Sequence, residues 1–370
     1  MLSFRLGFLT CLFVAFPGST LGMLWPSARL DLHAPVGALG VLLIVGTAAS
    51  VVSSVVTGQL MTRLPVSLFV TAGTALIAGA LALEALASSL WVFAGGCLLF
   101  GIGFGAVNSG INTHAAHHFG PRDITWLHAG YGLGAMIGPL VVTAVISSGL
   151  SWRDAFWIFA AIQAVVACVL AGAGRTRHAG TQQKHGEPAP SVIIGTLAIV
   201  TVETGVETGA GVWGYLFLTE GRGLGPEAAG LAVAAYWAMM FVGRALLGPV
   251  AERVGARVVL GWAIGGVAAG TGLMVVPGSG LGTVAAMMVV GLAAAPIFPL
   301  LVLTTGTHNE NAATTTRVVG WQAAASSVGG AALPAGMGLA IDAFGVAVLA
   351  PLLFGLSVAM CVVYVSLPRH

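Results

Sequence analysis

Two glutamates, Glu203 and Glu207, stand four residues apart inside a long apolar segment of the chain. Residues four apart share one face of a helix, so the two carboxyls are expected to be neighbours. An ionised carboxylate is costly in an apolar medium, and two adjacent ones resist joint ionisation. The pair therefore predicts a group that carries one proton, or a ligand for a sodium ion. A structural hydrogen bond to a neighbouring helix is the alternative.

Other polar side chains in apolar segments are candidates for binding a solute. Asn108 and Asn112 are also four residues apart, and an amide both donates to and accepts from the hydroxyls of a polyol. His128 is a candidate proton relay, because imidazole titrates near neutral pH. Each has a plainer interpretation, as an inter-helix hydrogen bond or a packed histidine. We expect further solute contacts from a hydroxyl, aromatic faces that suit a sugar ring, and an amide: Thr208, Trp213, Tyr236, Trp237 and Gln322.

The composition places these residues in a membrane. Of 370 residues, 14 are Lys or Arg and 12 are Asp or Glu, so 7% are charged, against roughly 25% in soluble domains. The hydrophobic fraction is 57% and the mean hydropathy is +0.98. This excludes a soluble enzyme and a disordered chain, and a net charge of +2 gives no reason to expect nucleic acid as a partner. The 54 glycines suit helices that approach closely in lipid.

Apolar segments long enough to cross a bilayer recur twelve times, since a spanning helix needs about 20 mainly apolar residues. The first is too long for a signal peptide and is predicted to be a membrane helix. A polar, proline-bearing segment predicts two six-helix halves, at 1–174 and 191–370, joined by a cytoplasmic linker at 175–190. We expect spans at 5–27, 35–60, 65–88, 90–113, 124–148, 153–174, 191–218, 227–250, 256–276, 281–304, 317–340 and 344–367.

Basic residues set the expected orientation of the spans. With the N-terminus inside, ten Arg and Lys residues fall at the inner ends of the spans. Only Arg29, Arg153 and Arg222 fall at the outer ends. Basic residues accumulate on the cytoplasmic side of membrane proteins. The sequence therefore predicts a multi-pass protein of the cytoplasmic (inner) membrane with both termini in the cytoplasm.

Three matches between the halves predict a duplicated six-helix unit. The segments 58–63 and 248–253 are similar, and Gly101 and Gly291 are separated by the same length of chain as these segments. Pro139 and Pro334 are separated by a length only slightly greater. Parallel repeats of this kind place a substrate site between the halves near the middle of the membrane.

The segment Gly248-Pro-Val-Ala-Glu-Arg-Val-Gly255-Ala-Arg257 resembles the loop signature of the major facilitator superfamily. The resemblance implies twelve transmembrane helices in two six-helix pseudo-repeats that rock about a central site. It also implies a cytoplasmic gate, in which charged groups cap helix ends and latch neighbouring helices. Arg244 has two interpretations, as part of this gate or as the counter-charge of an acid in the membrane; the resemblance favours the gate. The implied gate residues are Gly248, Glu252, Arg253, Gly255, Arg257 and Arg244.

A narrower resemblance rests on the seventh span, Glu203-Thr-Gly205-Val-Glu207-Thr-Gly-Ala-Gly211-Val-Trp213. It is similar to the corresponding segment in the fucose–proton symporter branch and its sodium–glucose relatives, as are spans four and five and the segment from Tyr236 to Arg244. The branch implies that a sugar or small polyol enters with a proton. Glu207 is the expected proton carrier, with Glu203 and His128 as further candidates.

Two other classes stay open. Gly134-Ala-Met-Ile-Gly138-Pro139 resembles a motif of superfamily antiporters and keeps a drug or metabolite efflux antiporter as the alternative; close helix packing explains the same glycines. The second open class is a sensor that binds a ligand without transporting it. The spans carry no nucleophile–base set, so we expect no enzyme and no cofactor. We expect no metal either, and interpret His114, His117 and His118 as interfacial. The expected partners are a small solute, a proton or sodium ion and the bilayer, with the chain a monomer.

Overall fold

The computed structural model describes residues 3–119, 121–173, 190–308 and 312–367, and the regular elements within them are all helical. The chain divides into two compact units, Met1–Thr181 (unit 1) and Gln182–His370 (unit 2). Eleven helices in the described residues are long and apolar enough to cross a membrane. The prediction of an all-helical polytopic membrane protein is confirmed. The predicted linker at 175–190 lies outside the described residues, apart from Pro190.

The described part of unit 1 contains six helices. α1 packs against α5 and α6, while α4 packs against α2 and α3. The side chains of Ser3 and Ser89 cap the first turns of α1 and α4 by accepting backbone N–H groups. The helices are α1 (Phe4–Asp31), α2 (Ala38–Leu60), α3 (Val66–Ala85), α4 (Leu90–His118), α5 (Pro121–Ser147) and α6 (Trp152–Gly172).

Seven α-helices lie in the described part of unit 2. α7 packs against α12 and α13, and α10 packs against α8 and α9. The tenth predicted span, 281–304, is two helices, because Pro296 lacks the N–H that would continue the first one. The helices are α7 (Pro190–Leu216), α8 (Pro226–Val254), α9 (Ala256–Val275), α10 (Gly280–Ala294), α11 (Ile297–His308), α12 (Ala312–Phe344) and α13 (Leu349–Ser366). A π-helical turn, Phe217–Gly221, follows α7.

One close helix crossing recurs in both units, at the glycines that the sequence comparison matches. In unit 1, Gly101 of α4 lies so near the carbonyl oxygen of Gly46 in α2 that an added Cβ would collide with the backbone. In unit 2, Gly291 of α10 lies in the same way against the carbonyl oxygen of Tyr236 in α8. The two contacts pair Gly46 with Tyr236, which aligns α2 with α8. They also pair Gly101 with Gly291, which aligns α4 with α10.

A second crossing recurs between the helices that carry the predicted polar residues. Gly134 of α5 lies against the carbonyl oxygen of Leu12 in α1, and Gly329 of α12 lies against that of Thr201 in α7. Small residues permit such approach. Leu12 and Thr201 are therefore counterparts that align α1 with α7, and Gly134 and Gly329 are counterparts that align α5 with α12. Counting along the helices from these four aligned pairs assigns a counterpart to every other residue on them.

A proline in α1 is compensated by a side chain from α6. Pro17 has no N–H, so the carbonyl oxygen of Phe13 loses its usual helical donor. The buried Gln163 of α6 replaces that donor, with its Nε2 donating to Phe13 O at 2.8 Å. This bond holds α6 against the part of α1 that lines the polar cavity of unit 1.

Candidate functional site

The two glutamates of α7 form a carboxyl pair inside unit 2. Glu203 is 2% exposed, and its carboxyl interacts directly with that of Glu207. Thr204 Oγ1 donates to Glu203 Oε2 at 3.1 Å, and Ser326 Oγ of α12 lies 3.0 Å from Thr204 Oγ1. Thr204 therefore links Ser326 to Glu203 through a chain of hydroxyl groups. The other oxygen, Glu203 Oε1, is buried with no hydrogen-bond partner among the described residues.

Arg244 of α8 faces this pair. Its Nη2 lies 3.6 Å from Glu207 Oε1, and the side chains of Arg244 and Glu207 are 38% and 17% exposed. The Tyr236 hydroxyl, also from α8, donates to the backbone carbonyl of Glu207 at 2.9 Å and fixes the two helices together. The structure thus brings Arg244 to a membrane acid, the second of its two interpretations. Its role in a gate stays a prediction.

The structure places two of the predicted stacking residues in the helix core. Trp213 is 1% exposed and its Nε1 donates to the carbonyl of Pro334 in α12 at 2.8 Å. Tyr236 is also fully buried. Both rings have neighbours on all sides, so neither offers a face to a sugar ring in this structure. Sequence reasoning missed this because it shows that a residue lies in a helix but not which neighbouring helix encloses it.

The remaining predicted contacts of unit 2 differ in their surroundings. Trp237 is partly exposed and lies edge-on to Tyr236, with ring centroids 5.2 Å apart. Its buried Nε1 has no hydrogen-bond partner among the described residues. Thr208 is half-buried beside Gly330 of α12, and Gln322 of α12 is fully buried. Of these three side chains, Trp237 therefore combines some exposure with a buried donor that no described residue engages.

Unit 1 brings the predicted amides and His128 to one cavity, which we call the amide pocket. Asn112 Nδ2 donates to both Oδ1 and the backbone carbonyl of Asn108, at 2.9 Å each. The cavity has a volume of about 40 Å³. Both amides and His128 are exposed to it and to its surroundings. Its walls come from α1, α4 and α5: Cys11, Val14, Phe104, Val107, Asn108, Ile111, Asn112, Leu127, His128 and Tyr131.

Sequence reasoning missed two polar residues of these sites. Tyr131 lines the amide pocket, and its position three residues after His128 was a usable signal, because residues three apart share a helix face. Ser326 completes the hydroxyl chain to Glu203, but its partner Thr204 lies 122 residues away along the chain. No pattern in the local sequence indicates that contact.

The structure describes only part of the predicted gate. Gly255 ends α8 with φ +97°, a conformation that glycine adopts without strain, and α9 begins at the next residue. Arg253 and Arg257 are exposed, and Tyr364 of α13 donates to the Arg257 carbonyl at 2.8 Å. Gly248 and Glu252 lie within α8, and their surroundings fall outside what the structure describes. The latch therefore stays a prediction.

Glu84 and His114 are buried ionisable side chains outside both sites. Glu84 of α3 is buried and hydrogen-bonds the thiol of Cys97 in α4. His114 is also buried, and its ring stacks on that of His118 with centroids 4.4 Å apart. His114 is therefore packed within the protein at this end of α4, and its interfacial depth stays a prediction.

Comparisons with known proteins agree on one architecture. The sequence profile of the Major Facilitator Superfamily matches residues 7–219. The fold is similar to that of the crystal structure of the nucleoside transporter NupG (D323A mutant), with a TM-score of 0.81 and 15% identity over 99% of each chain. It is also similar to an inward-facing, unoccupied bacterial homolog to the human lysosomal transporter Spinster, with a TM-score of 0.74 and 15% identity over 97% of this chain and 92% of that one. No curated protein matches the sequence.

Proposed function

The chain belongs to the major facilitator superfamily, and we propose that it is a secondary active transporter that moves a small polar solute together with a proton. The solute belongs to the sugar or polyol class, and the carrier works by alternating access in the cytoplasmic membrane with both termini inside. The single observation that supports the coupling is the carboxyl pair of α7 beside Arg244. Membrane-embedded ionisable groups of this kind characteristically mark ion pathways.

The two glutamates have different parts in this proposal. Glu207 is the partly exposed member of the pair, and we propose it as the proton carrier. Glu203 is buried and fixed by Thr204, so it acts as a positioning residue whose nearby carboxyl opposes a second negative charge. Neutralising Glu207 removes a charge that would resist closure of the carrier around its solute.

The amide pocket supports a solute that carries hydroxyls. Asn108, Asn112, His128 and Tyr131 offer both hydrogen-bond donors and acceptors around a cavity of about 40 Å³. A hydroxyl needs both kinds of partner, because it both donates and accepts. We propose that this pocket recognises one hydroxyl-bearing part of the solute. NupG is a nucleoside transporter, so nucleosides belong in the first panel of candidates beside sugars and polyols.

The test uses purified full-length protein in proteoliposomes with an inward proton gradient. A panel of labelled sugars, polyols, nucleosides and organic acids is screened for accumulation and for proton uptake. We expect at least one solute to accumulate with proton entry. Glu207→Gln abolishes accumulation but keeps exchange of labelled for unlabelled solute. The matched control is Glu227→Gln, an exposed acid in the first turn of α8, which leaves both readouts unchanged.

Each other result overturns a named part of the proposal. Accumulation by Glu207→Gln at the wild-type level would rule out that residue as the proton carrier. Solute extrusion driven by an acidic exterior would identify the efflux antiporter instead. Tight binding without any exchange of labelled solute would identify a sensor.

A further inference from the structure

Arg244 carries a permanent positive charge that the described residues engage only loosely. A guanidinium has five N–H donors and stays ionised in proteins. Its described partners are Glu207 Oε1 at 3.6 Å and Met240 Sδ at 3.6 Å. The first separation is that of an ion pair and exceeds the usual length of an N–H···O bond, and sulfur is a weak acceptor. The carboxylate therefore balances the charge of Arg244 without occupying its donors.

The charges around Glu207 balance in only one of its two protonation states. Among the described residues, the charged and titratable groups that face it are Glu203 on α7 and Arg244 and Tyr236 on α8; α12 contributes the uncharged Ser326 near Glu203. With Glu203 protonated and Glu207 ionised, the cluster is neutral. When Glu207 takes up its proton, the charge of Arg244 loses its counter-ion. A cation within the span needs a counter-charge, because uncompensated charge is strongly disfavoured there.

A second donor lies on the same helix as the guanidinium, toward its N-terminus. Helical side chains lean toward the helix N-terminus, and the contact with Met240 shows that Arg244 does so. Trp237 lies three residues before Met240, toward the N-terminus of the same helix. Its buried Nε1 has no hydrogen-bond partner among the described residues. Trp237 and Arg244 are seven residues, or about two helical turns, apart along α8. An unengaged indole N–H on the same helix as a loosely paired guanidinium calls for an acceptor that carries negative charge.

We propose that Arg244 and Trp237 bind an anionic group of the solute, and that this group is a carboxylate which replaces Glu207 as the counter-ion of Arg244 when Glu207 is protonated. One negative charge restores neutrality, which a carboxylate supplies and a phosphate dianion exceeds. Arg also matches carboxylates in geometry. The inference rests on the proposed proton uptake by Glu207 and narrows the solute to a hydroxylated acid. One proton and one carboxylate then cross together without net charge.

The linkage has a measurable sign. Anion binding and protonation of Glu207 favour one another. A protonated Glu207 no longer competes with the anion for Arg244, and a bound anion supplies the negative charge that protonation removes. Such coupling is reciprocal. Acid binding to the wild-type protein therefore strengthens as the pH falls. Replacing Glu207 by Gln fixes it in the neutral state, so binding becomes strong at every pH and loses this dependence. A purely structural Arg244–Glu207 contact would not produce either behaviour.

The test measures thermal stabilisation of the purified full-length protein by matched pairs of solutes, because ligands that bind the native state raise Tm. The pairs are D-gluconate and D-glucitol, D-glucuronate and D-glucose, and L-lactate and propane-1,2-diol, at about pH 5.5 and about pH 8. We expect at least one acid to raise Tm, more strongly at the lower pH, and more than its neutral partner. Arg244→Gln weakens the binding of that acid, raising its Kd by about tenfold or more. Arg244→Lys weakens binding less, because Lys keeps the positive charge but lacks the paired N–H donors of the guanidinium.

One control variant and three overturning outcomes make the test decisive. Arg5→Gln removes an exposed arginine at the start of α1 and leaves acid binding unchanged. Failure of every acid to stabilise the wild-type protein overturns the inference, as does undiminished acid binding by both Arg244 variants, or persistence of the pH dependence in Glu207→Gln. If a neutral solute alone binds and enters with protons, the proposed function stands and only the carboxylate inference falls.

Discussion

Unit 1 gathers amide, imidazole and phenol groups around an accessible cavity, whereas unit 2 gathers two carboxyls and a guanidinium along α7 and α8. The units nevertheless share their close helix crossings, residue for residue. This common framework allows each functional position in one unit to be compared with its counterpart in the other. The comparison separates residues that the fold requires from residues that it merely tolerates.

Glu203, Glu207 and Arg244 of unit 2 have no charged counterparts in unit 1. Counted from the aligned pairs at the crossings, the counterparts are Val14 for Glu203, Gly18 for Glu207 and Ser54 for Arg244. Ser54 donates to the carbonyl of Gly105 and so serves helix packing. A six-helix unit of this design therefore forms without the three charges. Their presence in unit 2 is best explained by function, since charge within the membrane lowers stability.

The polar residues of the amide pocket are equally specific to unit 1. Counting along the chain gives Ala323 of α12 for His128, and Phe298 and Val302 for Asn108 and Asn112; the last two lie on α11, beyond the break at Pro296. Each unit has thus specialised at positions where the other keeps uncharged or apolar side chains. In the proposed cycle, unit 1 recognises hydroxyls and unit 2 handles charge.

The largest expected effect comes from Glu203→Val, which gives unit 2 the residue that unit 1 has at the corresponding position, Val14. Glu203→Val removes the carboxyl that interacts with Glu207 and leaves Arg244 as the charged neighbour of Glu207, so we expect proton-driven accumulation to fall to about onefold. A gradient of one pH unit drives at most about tenfold accumulation per proton in the wild type. The measurement is solute accumulation in proteoliposomes. The control is Glu84→Gln, which alters a buried carboxyl of unit 1 and keeps accumulation at the wild-type level. Proton-driven accumulation that persists in Glu203→Val would show that Glu203 has only a structural role.

An intermediate effect tests whether the two units share their framework. Gly134→Ala and Gly329→Ala each place a methyl group against backbone, so we expect each to lower the free energy of unfolding by about 3 kcal/mol, the upper end of the usual cost of overpacking. Gly79 and Gly336 have no atom within 4 Å of an added Cβ. Their alanine variants serve as controls in units 1 and 2 and melt like the wild type. Unequal losses at Gly134 and Gly329 would contradict the equivalence of the crossings.

The smallest effect concerns a bond that unit 1 needs and unit 2 does not. Gln163→Leu leaves the carbonyl of Phe13 without its donor, which costs about 1–2 kcal/mol of stability. The counterpart of Pro17 in unit 2 is Val206, whose N–H is present. Adding Pro17→Val to Gln163→Leu restores that N–H and recovers most of the loss. Simple additivity of the two variants in thermal unfolding would show that the bond does not compensate for the proline.

The sequence predicts the fold well because its signals are local. Apolar segments of sufficient length and the duplicated glycines specify helices and their repeat. The break between α10 and α11 was missed although Pro296 marks it, because hydropathy averages over a window and ignores the missing N–H.

The candidate sites are predicted less completely, because they depend on contacts between distant helices. The spacing of Glu203 and Glu207 identifies the carboxyl pair, but its hydroxyl partner Ser326 is visible only once α12 packs on α7. Trp213 shows the opposite error. Its type suggests an exposed ring, and only the contact with Pro334 shows that it is enclosed.

A π-helical turn, Phe217–Gly221, follows the helix that carries the two carboxyls. The chain from Thr201 to Tyr236 is one residue longer than its counterpart from Leu12 to Gly46, so the connection after α7 holds an extra residue. A π turn differs from an α turn by one residue per hydrogen-bonded ring. The wide turn therefore stores a single-residue insertion at the end of the helix that carries the carboxyls, and leaves the register of that helix against α12 undisturbed.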